Sequence, residues 1–230
     1  MNKFPRAQKT LLGREILSLA FRLPVRLTSP SSNGKGPSSS FTEFWYAREA
    51  EFAADPRRMV DFARWMEKTL QVLNALEQDG VVGRYAIGGA MGATFYVEPV
   101  LTFDLAIFVI PPQTAYGLLT LEPLYGALRA RGYTEEGECV NIEGVPVQFL
   151  PAYNELLVAA LAEARETLHE QTPTRVLRAE HLAAIAVQTG RDKDRQRVRL
   201  LREQGSLDDN YLAGILARYS LEATWKEWTT

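Results

Sequence analysis

Cysteine occurs once in this chain, at Cys139, and histidine twice, at His169 and His181. A single thiol excludes an intrachain disulfide framework and fits a reducing compartment, so a cytoplasmic setting is expected. So few thiol and imidazole groups also exclude a Cys/His zinc centre, and no nucleophile motif surrounds Cys139. No stretch approaches the roughly 18 to 20 consecutive apolar residues of a spanning helix, so no membrane role is expected. Acidic residues are nearly missing from residues 1–42, where Lys3, Arg6, Lys9, Arg14, Arg22, Arg26 and Lys35 face only Glu15. With an overall charge of -2, that leaves +6 on this head and -8 on the rest. An acidic body argues against broad electrostatic binding of nucleic acid.

What is present is an ordinary globular composition, 46% apolar and 23% charged over 230 residues, enough for one domain with appendages or two small ones. The head carries "LLGREILSLAFRL", with Leu11, Leu12, Ile16, Leu19, Ala20 and Leu23 at helical spacing, and ends in "SPSSNGKGPSSS", a flexible-linker composition. Its Arg- and Ser-containing, acid-poor make-up resembles an organellar transit peptide. A disordered bacterial extension, or upstream sequence translated ahead of a later start such as Met59, is the simpler reading and the preferred one. The organisation expected is a basic extension over 1–42, an α/β core over 43–175 and a helical part over 176–230.

Periodicity orders the body. "RRMVDFARWMEKTLQVLNALEQDG" has Met66, Leu70, Leu73 and Leu76 at a 3.6 period, with Gly80 as its stop. "RYAIGG" reads as a short strand entering a glycine turn, and "ATFYVEP" as a short helix or turn ended by Pro99. "VLTFDLAIFVI" is almost continuously apolar and β-branched or aromatic, the pattern of a strand buried on both faces. A helix over about 114–131 ending at Gly132 is followed by strands near "CVNIEG" and "VPVQFLP", joined at Glu143-Gly144. "YNELLVAALAEARETL" reads as one helix capped by Asn154, "TRVL" as extended, and three helices close the chain. Order and type predict a mixed α/β sheet with a helical C-terminal part.

Two stretches carry a family resemblance. "GGAMGATFYVEPVLTFDLAIFV" resembles the signature of the DNA polymerase β-like nucleotidyltransferase superfamily: a strand, a glycine turn, a short helix, then a strand bearing Asp-x-Asp. "RAEHLAAIAVQTGRDKDRQRV" is similar to the "Glu-His/Tyr-Leu…Thr-Gly-Arg-x-Lys-Asp" stretch of prokaryotic nucleotidyltransferase-like proteins of the abortive-infection and toxin branch. The resemblance runs from about residue 59 to residue 228. It implies an NTP as substrate or ligand, Mg²⁺ as cofactor, RNA, protein or a small molecule as acceptor, and a cognate partner in a toxin–antitoxin system.

Nucleotidyl transfer moves a phosphorus centre ringed by negative oxygens, so positioning and charge stabilisation dominate, often through two divalent ions. Carboxylates at i and i+2 of a strand project to one side and can hold such ions. Carried over residue by residue, Gly88 and Gly89 match the phosphate-cradling turn, Thr102 the threonine before the motif, and Asp104 the first metal-binding, catalytic carboxylate. Ala106 stands where the second carboxylate belongs, and Gln148 where a third would come from a following strand. Glu98 is the substitute carboxylate nearby, although at a turn position beside Pro99 a solvated or capping role is the preferred reading. The resemblance therefore implies Mg²⁺ binding that is weak or lost. Arg191 and Lys193 match its nucleotide-binding bases, with Lys193 also a catalytic candidate; a solvated, salt-bridged helix face partnered by Asp192 and Asp194 is the competing reading. That competing reading is preferred for Arg195, Arg197 and Arg199. Tyr85, Phe95, Phe103 and Phe108 read as core, Tyr96 as a candidate wall of a base pocket, Trp225 and Trp228 as anchors of the C-terminus, and His181 as a core or boundary residue.

Overall fold

The computed structural model describes residues 57–97, 102, 104–111, 120–205 and 207–230, with side chains from Arg64 onward. The basic head, Glu98, Phe103 and residues 114–119 of the helix expected from 114 lie outside the described residues.

The body is mixed α/β, as the periodicities imply. Helix α1 (Arg57–Gln78) buries Met66, Leu70, Leu73 and Leu76 on one stripe, and Gly80 beyond its end takes the left-handed φ of 69° that helix exits favour. Strand β1 (Tyr85–Ile87) enters α2 (Gly89–Ala93), so the short helix begins at the glycines and "TFYV" is the turn after it. Strand β2 (Leu105–Val109) is buried at every residue. Helix α3 (Glu122–Ala130) has Pro123 in its first turn, where a missing N–H costs nothing. A two-residue strand that periodicity does not announce, β3 (Glu135–Glu136), precedes β4 (Cys139–Ile142) and β5 (Val145–Pro151). Between the last two, Glu143 and Gly144 both adopt positive φ, 53° and 87°, the two-residue hairpin geometry expected there.

Two expectations are corrected after that hairpin. Helix α4 (Glu155–Ala162) is capped by Asn154, whose side-chain oxygen accepts from the Leu157 N–H at 2.9 Å, but it ends before Arg165. "RETLH" is instead strand β6 (Arg165–His169), turning at Glu170 (φ 50°) into β7 (Thr172–Val176). Ala, Glu, Arg and Leu favour helix locally, yet five residue pairs with β7 satisfy this backbone at the sheet edge, and the ladder overrides propensity. The chain closes with four helices rather than three: α5 (Ala179–Thr189), α6 (Asp192–Gln204), α7 (Asp209–Arg218) and α8 (Glu222–Thr229). Too short for a clear period, α8 is held by Trp225 and Trp228, which pack onto the cluster formed by the preceding helices. Among the described residues no helix is long and apolar enough to cross a membrane.

The seven strands of the described residues form one sheet in the order β3-β4-β5-β2-β1-β7-β6. β2 pairs parallel with β5 and antiparallel with β1, and β1 pairs parallel with β7. Side chains alternate between faces. Tyr85, Ile87, Leu105, Ile107 and Val147 point toward α1 and α3, while Ala86, Phe108 and Leu177 meet the helices of the C-terminal half. Because β1 and β7 end where β2 begins, Gly88, Asp104 and Arg178 are gathered along one edge of the sheet.

Candidate functional site at the β1–α2 turn

The glycine turn is shaped by packing as well as by any ligand. Gly88 is extended (φ -134°, ψ -151°), and its N–H donates to the Ala106 carbonyl at 2.9 Å. A Cβ at Gly88 would lie 2.4 Å from Cε2 of Phe108, closer than atoms tolerate. Gly89 has φ +60°, and a Cβ there would sit 2.8 Å from the Ala106 Cβ. The residue that breaks the carboxylate pattern thus fills space directly against the turn. Helix α2, five residues long, adds only a slight end charge.

Asp104 lies just before β2, half-buried, with the Thr102 hydroxyl donating to its carbonyl (3.2 Å) and its Oδ1 (3.4 Å). Two residues on, Ala106 is 7% exposed and pairs in register with Gln148 of β5. Registered neighbours on adjacent strands share a face, so the sequence-expected positions for two carboxylates do come together, as a methyl and an amide. The Gln148 side-chain amide donates to Glu138 at 3.0 Å. On the neighbouring strand, burial pushes the Cys139 thiol up to about 11, with Asp104, Glu138 and Glu136 adding to the shift. Despite that acidity, no group of three Asp, Glu, His or Cys side chains converges as a metal site among the described residues. Mg²⁺ demands a near-octahedral set of oxygen ligands, and Asp104 with a methyl and an engaged amide does not fit it.

The bases come from α6, which packs against α2. Arg191 precedes its first turn and pairs with Asp194 through Nε at 2.7 Å, its own side chain 55% exposed. Asp194, whose side chain is only 1% exposed, also accepts from Nη1 of Arg197 at 2.7 Å. Arg197 is 14% exposed and lies within electrostatic reach of Asp104; burial lowers its pKa, opposed chiefly by Asp194. Lys193 is exposed on the same helix and makes no ion pair among the described residues. Arg195 behaves as a surface residue, paired with Glu227 at 3.2 Å and lying 5.1 Å over the Trp228 ring.

Comparison with known proteins adds little to this geometry. No family model and no curated protein matches the chain. One solved structure similar to it is that of antibiotic-resistance factor ANT(2'')-Ia. The two share 15% identity at a TM-score of 0.42, over 73% of this chain and 96% of that one.

The structure buries most of Arg197, set aside as a solvated base, on the helix that packs against α2. A signal was available in the spacing: counting back from buried Val198 and Leu201 puts Asp194 on the same buried stripe, and Asp194-x-x-Arg197 is an i, i+3 pair. A buried carboxylate there requires a cation brought in with it. Tyr96 lines a recess of about 560 Å³ with Phe95, Arg165, Arg178, Glu180 and Asp208. Its hydroxyl donates to the Leu177 carbonyl at 3.0 Å, which holds the ring in place. His181 is buried within α5, its ring edge-on to Tyr211 at 5.8 Å.

Proposed function

We propose that this chain is a nucleotide-binding protein of the polymerase β-like nucleotidyltransferase type in which NMP transfer from an NTP is weak or lost. The observation that carries the reading is Ala106: it sits in the register of the missing carboxylate and against Gly89, leaving Asp104 without the second carboxylate of the motif. In this reading the phosphates lie over the Gly88–Gly89 turn near Lys193 and Arg191, and the base enters the recess walled by Phe95 and Tyr96. Thr102 orients Asp104. A role as a regulatory or cognate partner within a cytoplasmic toxin–antitoxin system follows more readily than catalysis, because the small residue at 106 is built into the packing of the turn. Any acceptor, whether RNA, protein or small molecule, would meet a site deficient in metal ligands.

Calorimetry with ATP, CTP, GTP and UTP, each with and without Mg²⁺ or Mn²⁺, tests this directly. Weak binding that the metals barely change, with NMP transfer at background, is the expected result. Tight binding that requires metal, accompanied by turnover, overturns it.

A further inference from the structure

The recess lined by Phe95 and Tyr96 holds more hydrogen-bond donors than its own acceptors engage. It adjoins the glycine turn, because the Leu177 N–H donates to the Ile87 carbonyl at 3.0 Å while the Tyr96 hydroxyl binds the Leu177 carbonyl. Arg178, next in the chain, lines the recess with its guanidinium 4.2 Å over the Tyr211 ring. Among the described residues it pairs only through Nε, with Glu180 at 3.5 Å, and its side chain is 36% exposed. Arg165 is an exposed part of the same lining, 5.9 Å from the centre of the Tyr96 ring and in no ion pair among the described residues. The acids are more fully engaged. Buried Glu180 accepts from the Asp208 N–H at 3.0 Å as well as from Arg178, and Asp208 accepts from the Tyr211 N–H at 3.0 Å. Two positive and two negative side chains cancel, so the recess suits a neutral ligand, and its aromatic walls suit a planar one. What the lining still offers such a ligand is mainly guanidinium N–H.

We infer that the recess distinguishes nucleobases by their ring carbonyls, taking oxo bases, guanine or uracil, ahead of the amino bases adenine and cytosine. The inference rests on the reading that a base enters this recess, and adds which bases and why. A guanidinium only donates, in a planar fork that matches O6 and N7 of guanine. The O4 of uracil accepts in the same way. Adenine and cytosine carry an amino group at the corresponding ring position, so donor would face donor and an N–H would lose its partner. Arg178, held by Glu180 and lying over Tyr211, is the restrained reader of the carbonyl. Arg165 flanks the ring from the Tyr96 side.

The test titrates the full chain calorimetrically with GTP, inosine triphosphate, UTP, ATP and CTP in one buffer. The two oxopurines, or UTP, or all three, are expected to bind about tenfold or more tightly than ATP and CTP, the discrimination a guanidinium–carbonyl contact provides. Inosine triphosphate has the carbonyl of guanine without its amino group, so any preference for GTP must extend to it. Arg178→Gln should bring all five ligands to within about twofold of one another by removing that contact, with ATP affinity unchanged. Should that variant not fold, Arg178→Lys keeps the charge beside Glu180, loses the fork and serves in its place. Arg165→Gln, an exposed change, should reduce the preference severalfold. Oxo bases bound no tighter than ATP and CTP, a preference for GTP that inosine triphosphate does not share, or a preference that survives substitution of Arg178 overturns the inference and leaves nucleotide binding standing. Absence of binding by all five removes the nucleotide reading, and the inference with it.

Discussion

Removing the Asp194 carboxylate should unsettle the site from within. Its side chain is 1% exposed and serves two arginines, Arg191 at 2.7 Å and Arg197 at 2.7 Å. In Asp194→Ala the two are not equally stranded. Arg191, 55% exposed, turns to water at little cost, whereas Arg197, 14% exposed, keeps its charge inside with its partner gone. Breaking a buried pair by deleting one member costs about 3–5 kcal/mol, a large share of the roughly 5–15 kcal/mol of a typical domain. At about 2–4 °C per kcal/mol for a chain of this size, Tm should drop by roughly 6–20 °C. Arg191→Ala is the control, since a surface pair contributes about 1 kcal/mol or less. Urea unfolding followed by far-UV circular dichroism, with m compared between variants, reads both. If Asp194→Ala loses no more than Arg191→Ala, Asp194 does not hold Arg197 as described.

Two further predictions address other parts of the molecule. Gly88→Ala should destabilise by about 1–3 kcal/mol through its clash with the Phe108 ring, and Phe108→Leu in the same chain should recover part of that loss; strictly additive costs in urea unfolding would show that the two do not meet. His181, buried with Nδ1 lacking a hydrogen-bond partner among the described residues, has its pKa lowered from 6.5, first by desolvation, with Arg178 also lowering it and Glu163 and Glu180 opposing. The unfolded chain then takes up the proton first as pH falls, so stability drops below about pH 6.5, with a slope of up to about 1.4 kcal/mol per pH unit. Urea midpoints between pH 7.5 and 5.5 should show that slope in the wild type and a flatter one in His181→Gln, and equal slopes would contradict it.

The contrast between Asp194 and Arg165 shows where reading the chain succeeds and where it stops. Helix α1, strand β2, the Glu143-Gly144 hairpin and the Asn154 cap were legible because each is a local pattern: a period, an apolar run, a positive-φ pair, a side-chain acceptor at the right offset. "RETLH" was not, because its strand state depends on β7 offering a ladder at the sheet edge. Asp104, Ala106 and Gln148 could be named through the family resemblance, but their common face comes from the parallel register of β2 and β5, a pairing between segments some forty residues apart. The same limit hid Arg197, whose string of alternating charges looks solvated until the helix is docked.

Composition and periodicity by themselves determined the mixed α/β class and the excluded zinc and disulfide chemistries, and the family resemblance marked the missing carboxylate at position 106. These are properties of residue identity and local order, and no folding could alter them. Only the tertiary structure decided what surrounds that position: a glycine turn too close for any side chain, an amide already engaged by Glu138, and an arginine brought inside by a buried aspartate. Burial is a property of the assembled layers, and burial makes the charge of Arg197 count.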